Sequence, residues 1–171
     1  EGRGAAAGRT LAVDAEHRQL VAAMPAGLPD ADCVFCRIIA GDVPASRVLE
    51  RSNVLAFVDL RQGVPGHVLV VPRRHVSTIY ELDAILAGEL MAVAVEVAGA
   101  MRRAWAPEGL NLWQSNGEAG GQEVPHVHLH VQPRRLGDGL LRIYPETPPT
   151  PPRSELDALA AQLRAGLAAG D

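Results

Sequence analysis

The run His126-Val127-His128-Leu129-His130 places three histidines at alternate positions, with an aliphatic residue between each pair. In a β-strand, side chains two residues apart share a face. The pattern therefore predicts a strand over Val127–Gln132. Its Val127, Leu129 and Val131 side would pack on a core, and its histidine side would form a working surface. An exposed polar edge would not select one titratable residue type three times. A single metal held by all three is opposed by distance: residues i and i+4 of a strand lie roughly 13–14 Å apart, whereas metal–nitrogen bonds are about 2 Å. At most two neighbours could share an ion. A third reading is a nucleophilic imidazole with supporting neighbours, since a neutral imidazole can attack phosphorus and carry it covalently.

Upstream of this run lies the turn Asn116-Gly117-Glu118-Ala119-Gly120-Gly121, and before it an apolar strand over Leu110–Ser115. The longest periodic element precedes that strand. Leu86, Leu90, Val93, Val97, Met101 and Ala104 recur at helical spacing and trace one apolar stripe. Asp83 is the expected N-cap, and Gly109 is placed just past the helix end. Earlier still, His67–Val71 reads as a buried strand closed by Pro72. Val48–Glu50 and Val54–Val58 form a hairpin across Arg51-Ser52-Asn53. Cys36–Ala40 is a short helix ended by Gly41. The order strands, long helix, strands predicts an α+β fold with an antiparallel sheet.

The ends read differently. Residues 1–31 are rich in Ala, Gly and Arg and form an extension, with a short helix over Asp14–Met24 stopped by Pro25. The organised domain covers 32–136. Residues 137–171 hold a proline-rich linker and a C-terminal helix to about Leu167, opened by a capping box at Ser154-Glu155-Leu156-Asp157.

The 171 residues carry a formal charge of −4, and all sixteen basic residues are arginine. No global basic field argues for a long nucleic acid, while a small phosphate ligand needs only local positive groups. Two cysteines, Cys33 and Cys36, are too few for a secreted disulfide scaffold. The first thirty residues hold no apolar run suited to a signal peptide. Leu82–Trp105 is interrupted by Asp83, Glu89, Glu96, Arg102 and Arg103, so no membrane span is expected. A cytoplasmic protein is the expectation. Cys33-x-x-Cys36 alone is open to three readings: half a zinc site, a redox pair or two buried thiols.

Three blocks resemble the histidine-triad (HIT) family of nucleotide hydrolases and transferases, in its order and spacing. They are Cys33-Val34-Phe35-Cys36-Arg37-Ile38-Ile39-Ala40-Gly41, Gly66-His67-Val68-Leu69-Val70-Val71-Pro72-Arg73-Arg74-His75, and the stretch from Gly121 to Arg134. The ending Gln132-Pro133-Arg134 is closer to the fragile-histidine-triad and bacterial zinc-containing branches than to the branch ending in Gly-Gly-Arg.

The resemblance implies a five-stranded antiparallel sheet with a long helix and a short N-terminal helix, usually as a homodimer. It implies a hydrolase acting on nucleoside 5′-phosphoryl bonds, in a dinucleoside polyphosphate or a nucleoside phosphoramidate. His128 would be the nucleophile, His130 would bond the phosphate and scissile oxygen, and His67 would stand behind the nucleophile. Gln122 would contact the phosphate, and Asp59 would bind ribose hydroxyls. Cys33, Cys36, His75 and His126 would hold a structural zinc.

Two substrate-site positions depart from the family pattern. Ser115 stands where relatives carry Asn or Gln, and Glu123 where they carry Ser or Thr. A carboxylate at 123 would either repel an anionic leaving group or, with a raised pKa, donate a proton to a basic one. Both routes favour a phosphoramidate. Two other functions stay open: a nucleotide-binding regulatory module with incidental turnover, and a nucleotidyl transferase or phosphorylase using phosphate as acceptor.

Overall fold

The aliphatic stripe of the long helix and the valine-rich strands bury one another, and that contact organises the domain. In a computed structural model describing residues 30–140 and 148–168, the elements run in this order: α1 (Val34–Ala40), β1 (Arg47–Glu50), β2 (Val54–Val58), β3 (Val68–Pro72), α2 (Ala84–Trp105), β4 (Gly109–Trp113), β5 (Leu129–Arg134) and α3 (Arg153–Ala168). The five strands form one antiparallel sheet in the order β1-β2-β3-β5-β4. The expected α+β architecture, with a long helix and a short N-terminal helix, is present.

The two faces of the sheet carry two cores. On one, Leu86, Leu90, Val93, Val97 and Met101 of α2 meet Val54, Ala56, Val68, Val70, Val127 and Val131. On the other, Phe35, Cys36 and Ile38 of α1 meet Leu55, Phe57, Leu69 and Val71. β2 and β3 are thus buried on both sides, as their unbroken aliphatic runs require. Each large apolar side chain so removed from water contributes about 1.5–3 kcal/mol.

Several boundaries move from their expected places, each for a local reason. Residues 126–128 precede β5. The His126 amide donates to the Val124 carbonyl and the Val127 amide to the Val76 carbonyl, so neither joins the ladder. The alternation nonetheless holds, with Val127 and Val131 on the α2 core and the histidines opposite. β5 continues through Pro133, where it pairs only with β4 and a missing N–H costs nothing on the β3 side. β3 likewise starts at Val68 and takes in Pro72, whose carbonyl accepts from His126 Nε2 at 2.9 Å.

Asp83 does cap α2, its Oδ1 accepting from the Leu86 amide at 2.9 Å. Gly109 does not end that helix. Ala106 does, in the left-handed region at φ 42, immediately before Pro107, and Gly109 opens β4 instead. Ala104 is exposed, while Ala94 takes its place in the stripe. By length and composition alone α2 could cross a bilayer. Here its apolar face lies on the sheet, and its outer face holds Glu96 paired with Arg51 at 2.6 Å.

α1 begins at Val34, two residues before the expected start, and closes at Gly41 with φ 93. The chain divides into a unit ending at Asp138 and a second from Gly139. In the second, α3 starts at Arg153, so Ser154 sits inside the first turn and is not its cap. Leu156, Leu159, Leu163 and Leu167 of α3 are exposed. The helix expected over Asp14–Met24 lies outside the described residues.

Candidate active site and metal centre

Alternation along 126–130 sends three imidazoles toward α1, where each meets a different set of partners. His126 is fully buried. Its Nε2 faces the Pro72 carbonyl, so that nitrogen carries the proton and Nδ1 is left with a lone pair. Nδ1 lies 3.4 Å from Cys33 Sγ and 3.7 Å from Cys36 Sγ. His75 Nδ1 lies 3.3 Å from Cys36 Sγ. All four ligand atoms fall within 4.8 Å of one another.

Zinc bonded to sulfur at about 2.3 Å and to nitrogen at about 2.05 Å in a tetrahedron sets the S···N distance at about 3.6 Å. The observed separations bracket that value. Second partners fix the rings, the Pro72 carbonyl for His126 and Ser77 Oγ for His75 at 3.3 Å. Burial pushes the His126 pKa down to about 4, so its imidazole is neutral, as a metal ligand must be. The four residues expected from the sequence are brought together, and the donor set suits zinc. Among the three readings of the cysteine pair, this geometry favours half of a four-ligand site.

His128 points into a cavity of about 420 Å³. Its Nδ1 lies 2.7 Å from the His126 carbonyl, which can only accept, so Nδ1 carries the proton and Nε2 presents its lone pair. Burial lowers its pKa, keeping the ring neutral and nucleophilic. Phe35 sets its edge against both His128 and His126, at centroid distances of 5.2 and 5.7 Å. The carbonyl of one candidate metal ligand thus holds the tautomer of His128, and one phenyl ring buttresses both.

His130 belongs to a second row. Asp59 Oδ2 lies 3.1 Å from His67 Nδ1, and His67 Nε2 lies 3.0 Å from His130 Nδ1. The His67 Nδ1 faces the Asp59 carboxylate and, at 3.3 Å, the Arg61 carbonyl, so it is the protonated nitrogen. Burial pushes His130 down to about 3, with His128 and His67 adding to the effect. His130 is therefore neutral, its Nδ1–H donated to His67 Nε2 and its Nε2 left with a lone pair. Trp113, directly opposite His130 in the β4–β5 register, stacks parallel on its ring at 4.3 Å.

The other expected residues divide. Asp59 lines the cavity beside His67, its Oδ1 also accepting from the Arg61 amide at 3.1 Å. Ser115 lines it as well. Gln122 does not. Its Nε2 donates to the Ser77 and Val124 carbonyls at 2.7 and 3.0 Å, and its Oε1 accepts from the Gly117 amide. It shapes the loop that carries Glu123. Glu123 lines the cavity, but both its oxygens are held by the Arg61 guanidinium. That pairing lowers its pKa, the reverse of what a proton donor needs.

Sequence reading missed Phe35, Trp113 and Arg61. Trp113 was detectable as the aromatic residue inside the strand expected over Leu110–Ser115, one turn before the histidine run. Phe35 lay within a matching motif block without a role of its own, and Arg61 carried no local signal.

Comparison with known proteins agrees with this geometry. The HIT domain family matches residues 40–137. The protein hit of Bacillus subtilis is 44% identical over 109 residues, covering 63% of this chain and 75% of that protein. Adenosine 5′-monophosphoramidase hnt1 of Schizosaccharomyces pombe is 33% identical over 132 residues, covering 77% of this chain and 95% of that one. A zinc-bound histidine triad family protein from Mycobacterium smegmatis superposes with a TM-score of 0.61 at 36% identity, covering 79% of this chain and 97% of that one.

Proposed function

The chain belongs to the HIT family, and we propose that it is a nucleotide hydrolase cleaving nucleoside 5′-phosphoryl bonds through a phosphohistidine on His128. The observation that carries this reading is the orientation of His128: neutral, its Nδ1–H fixed on the His126 carbonyl and its Nε2 lone pair directed into the cavity.

The substrate's α-phosphorus would sit against His128 Nε2, with the nucleoside along the apolar wall of Phe35, Ile38, Phe57 and Leu69. Attack forms the P–N bond to His128 and breaks the bond to the leaving group, which departs with the electron pair; a basic amine takes its proton from solvent at the open mouth of the cavity. Water then attacks the same phosphorus. The His130 Nε2 lone pair, set by the His67–Asp59 row, orients that water, whose proton leaves to solvent as the P–N pair returns to His128. The S. pombe relative, named a monophosphoramidase, supports this class of reaction.

The proposal includes a structural zinc on Cys33, Cys36, His75 and His126. It is supported by the donor set, the S···N separations and the zinc-bound relative. The ion would tie α1, and with it Phe35, to the histidine segment. Two thiolate ligands suit a reducing compartment, which favours a cytoplasmic setting.

A homodimer is part of the same reading. β4 is an edge strand with Leu110 and Leu112 exposed, and α2 exposes Met91, Val95 and Trp105. An apolar edge of this kind calls for cover.

Rapid quenching with a nucleotide labelled at the α-phosphorus tests the chemistry. Acid-labile, base-stable label should appear on His128 during turnover of an adenosine phosphoramidate. Turnover without such label on the protein would sink the covalent route.

A further inference from the structure

Arg61 and Glu123 stand on two different loops and meet across the cavity. Arg61 belongs to the loop between β2 and β3, Glu123 to the loop between β4 and β5. Their contact is two-pronged: Nη1 donates to Oε1 at 3.2 Å, and Nη2 donates to Oε2. Both side chains also face solvent, with 78% and 64% of their side-chain surface accessible. They line the same cavity as His128. Glu123 is close enough to the nucleophile for its charge to act on the His128 ring.

Arg61 has no rival in the cavity. Among the described residues that line it, Arg61 is the one permanent cation, whereas Asp59 and Glu123 are acids. Asp59 already receives His67 Nδ1 and the Arg61 amide. An anionic group arriving beyond the α-phosphorus would thus find one guanidinium to neutralise it, currently held by a carboxylate. A planar guanidinium fork binds a phosphate or sulfate in the same two-pronged way as a carboxylate. The exchange is inexpensive, since an exposed ion pair is worth little in water.

We propose that Arg61 is the receptor for an anionic leaving group, a phosphoryl or sulfuryl oxyanion, and that Glu123 is its exchangeable stand-in in the free protein. This deepens the hydrolase reading and rests on it for the identity of the leaving group. When the P–O bond to such a group breaks, the electron pair stays on the departing oxygen, and Arg61 balances that charge without a proton donor. Glu123 competes for Arg61 and sets how strongly the site favours an anion over a neutral amine. The carboxylate thus acts by masking a cation, not by repelling the substrate or protonating it.

Binding tests this without any dependence on turnover. Calorimetry with AMP and ADP measures what a second phosphate adds at the leaving-group position. The wild-type protein should bind ADP more tightly than AMP. Arg61→Ala should cut the ADP-to-AMP ratio by about tenfold, and Glu123→Gln should raise it severalfold. Both side chains are exposed, so circular dichroism should show folded variants. A ratio untouched by Arg61→Ala, a ratio lowered by Glu123→Gln, or failure of wild type to prefer ADP overturns the proposal. A protein that binds as described but turns over no nucleotidyl substrate would count against the hydrolase reading alone. Parallel kcat/KM values for an adenosine phosphoramidate and a dinucleoside polyphosphate should move in the same sense as the binding ratios.

Discussion

Replacing Cys33 with serine should cost the protein the proposed zinc, much of its stability and the alignment of His128 together. Cys33 Sγ lies 3.4 Å from His126 Nδ1, within a cluster whose S···N separations run from 3.3 to 3.7 Å. Removing one thiolate from a four-ligand site cuts zinc affinity severely. At free zinc a hundredfold above Kd, the bound ion contributes about 2.7 kcal/mol to folding. Its loss also strands the buried Nδ1 lone pair of His126, at a further cost of about 1–3 kcal/mol. For a domain of this size, the zinc contribution alone moves Tm by roughly 10 °C. The effect should reach catalysis, because the His126 carbonyl holds His128 Nδ1 at 2.7 Å and Phe35, beside Cys36 on α1, abuts both rings.

Elemental analysis should find about one zinc per wild-type chain and far less in Cys33→Ser. Calorimetry with and without chelator should lower the wild-type Tm by the same roughly 10 °C and leave the variant unmoved. A wild-type protein that is metal-free when purified without chelator, or whose Tm ignores the chelator, would refute the argument.

Three further outcomes are expected. His128→Ala should lower turnover by at least about 10³-fold while AMP still binds, since the ring faces the cavity and not the α2 core; a few per cent of residual rate would exclude the covalent route. Asp83→Ala should destabilise the fold by about 1 kcal/mol, through loss of the cap on the Leu86 amide and of the acceptor for Arg74 Nη2 at 2.5 Å. The Leu86 amide and Arg74 hold the Asp83 carboxyl below its usual value. Its contribution is therefore complete above pH of about 4 and is lost as pH falls through the lower folded-state value, so urea titrations of the two proteins should converge in acid. Light scattering at micromolar concentration should give a dimer mass, and Leu112→Glu on the exposed β4 edge should shift it toward monomer; a wild-type monomer would remove the dimer from the proposal.

The residues that were legible from the chain alone are those whose role follows from local period or from a whole motif. Alternation at 126–130 is a property of extended backbone, so the separation of histidines from Val127 and Val131 survived even though β5 begins only at Leu129. The α2 stripe and the Asp83 cap follow from helical geometry in the same way. The four candidate metal ligands follow from the family resemblance, and the fold brings them within reach of one ion.

What only the tertiary structure decided were pairings between distant segments, which no local period encodes. The resemblance implies a phosphate contact for Gln122, but its amide is spent on the backbone of its own loop and of Ser77. Trp113 gains its place on His130 only through the β4–β5 register. Gly66 opens the central motif block; its positive φ and the Trp105 ring, 2.5 Å from where a Cβ would stand, show that only glycine there admits the end of α2. Glu123 read as a lone carboxylate beside a phosphate, and its character changed once a guanidinium 62 residues away closed on it. The charge of a group belongs to its sequence position, but the field it acts in is set by whatever the fold places opposite.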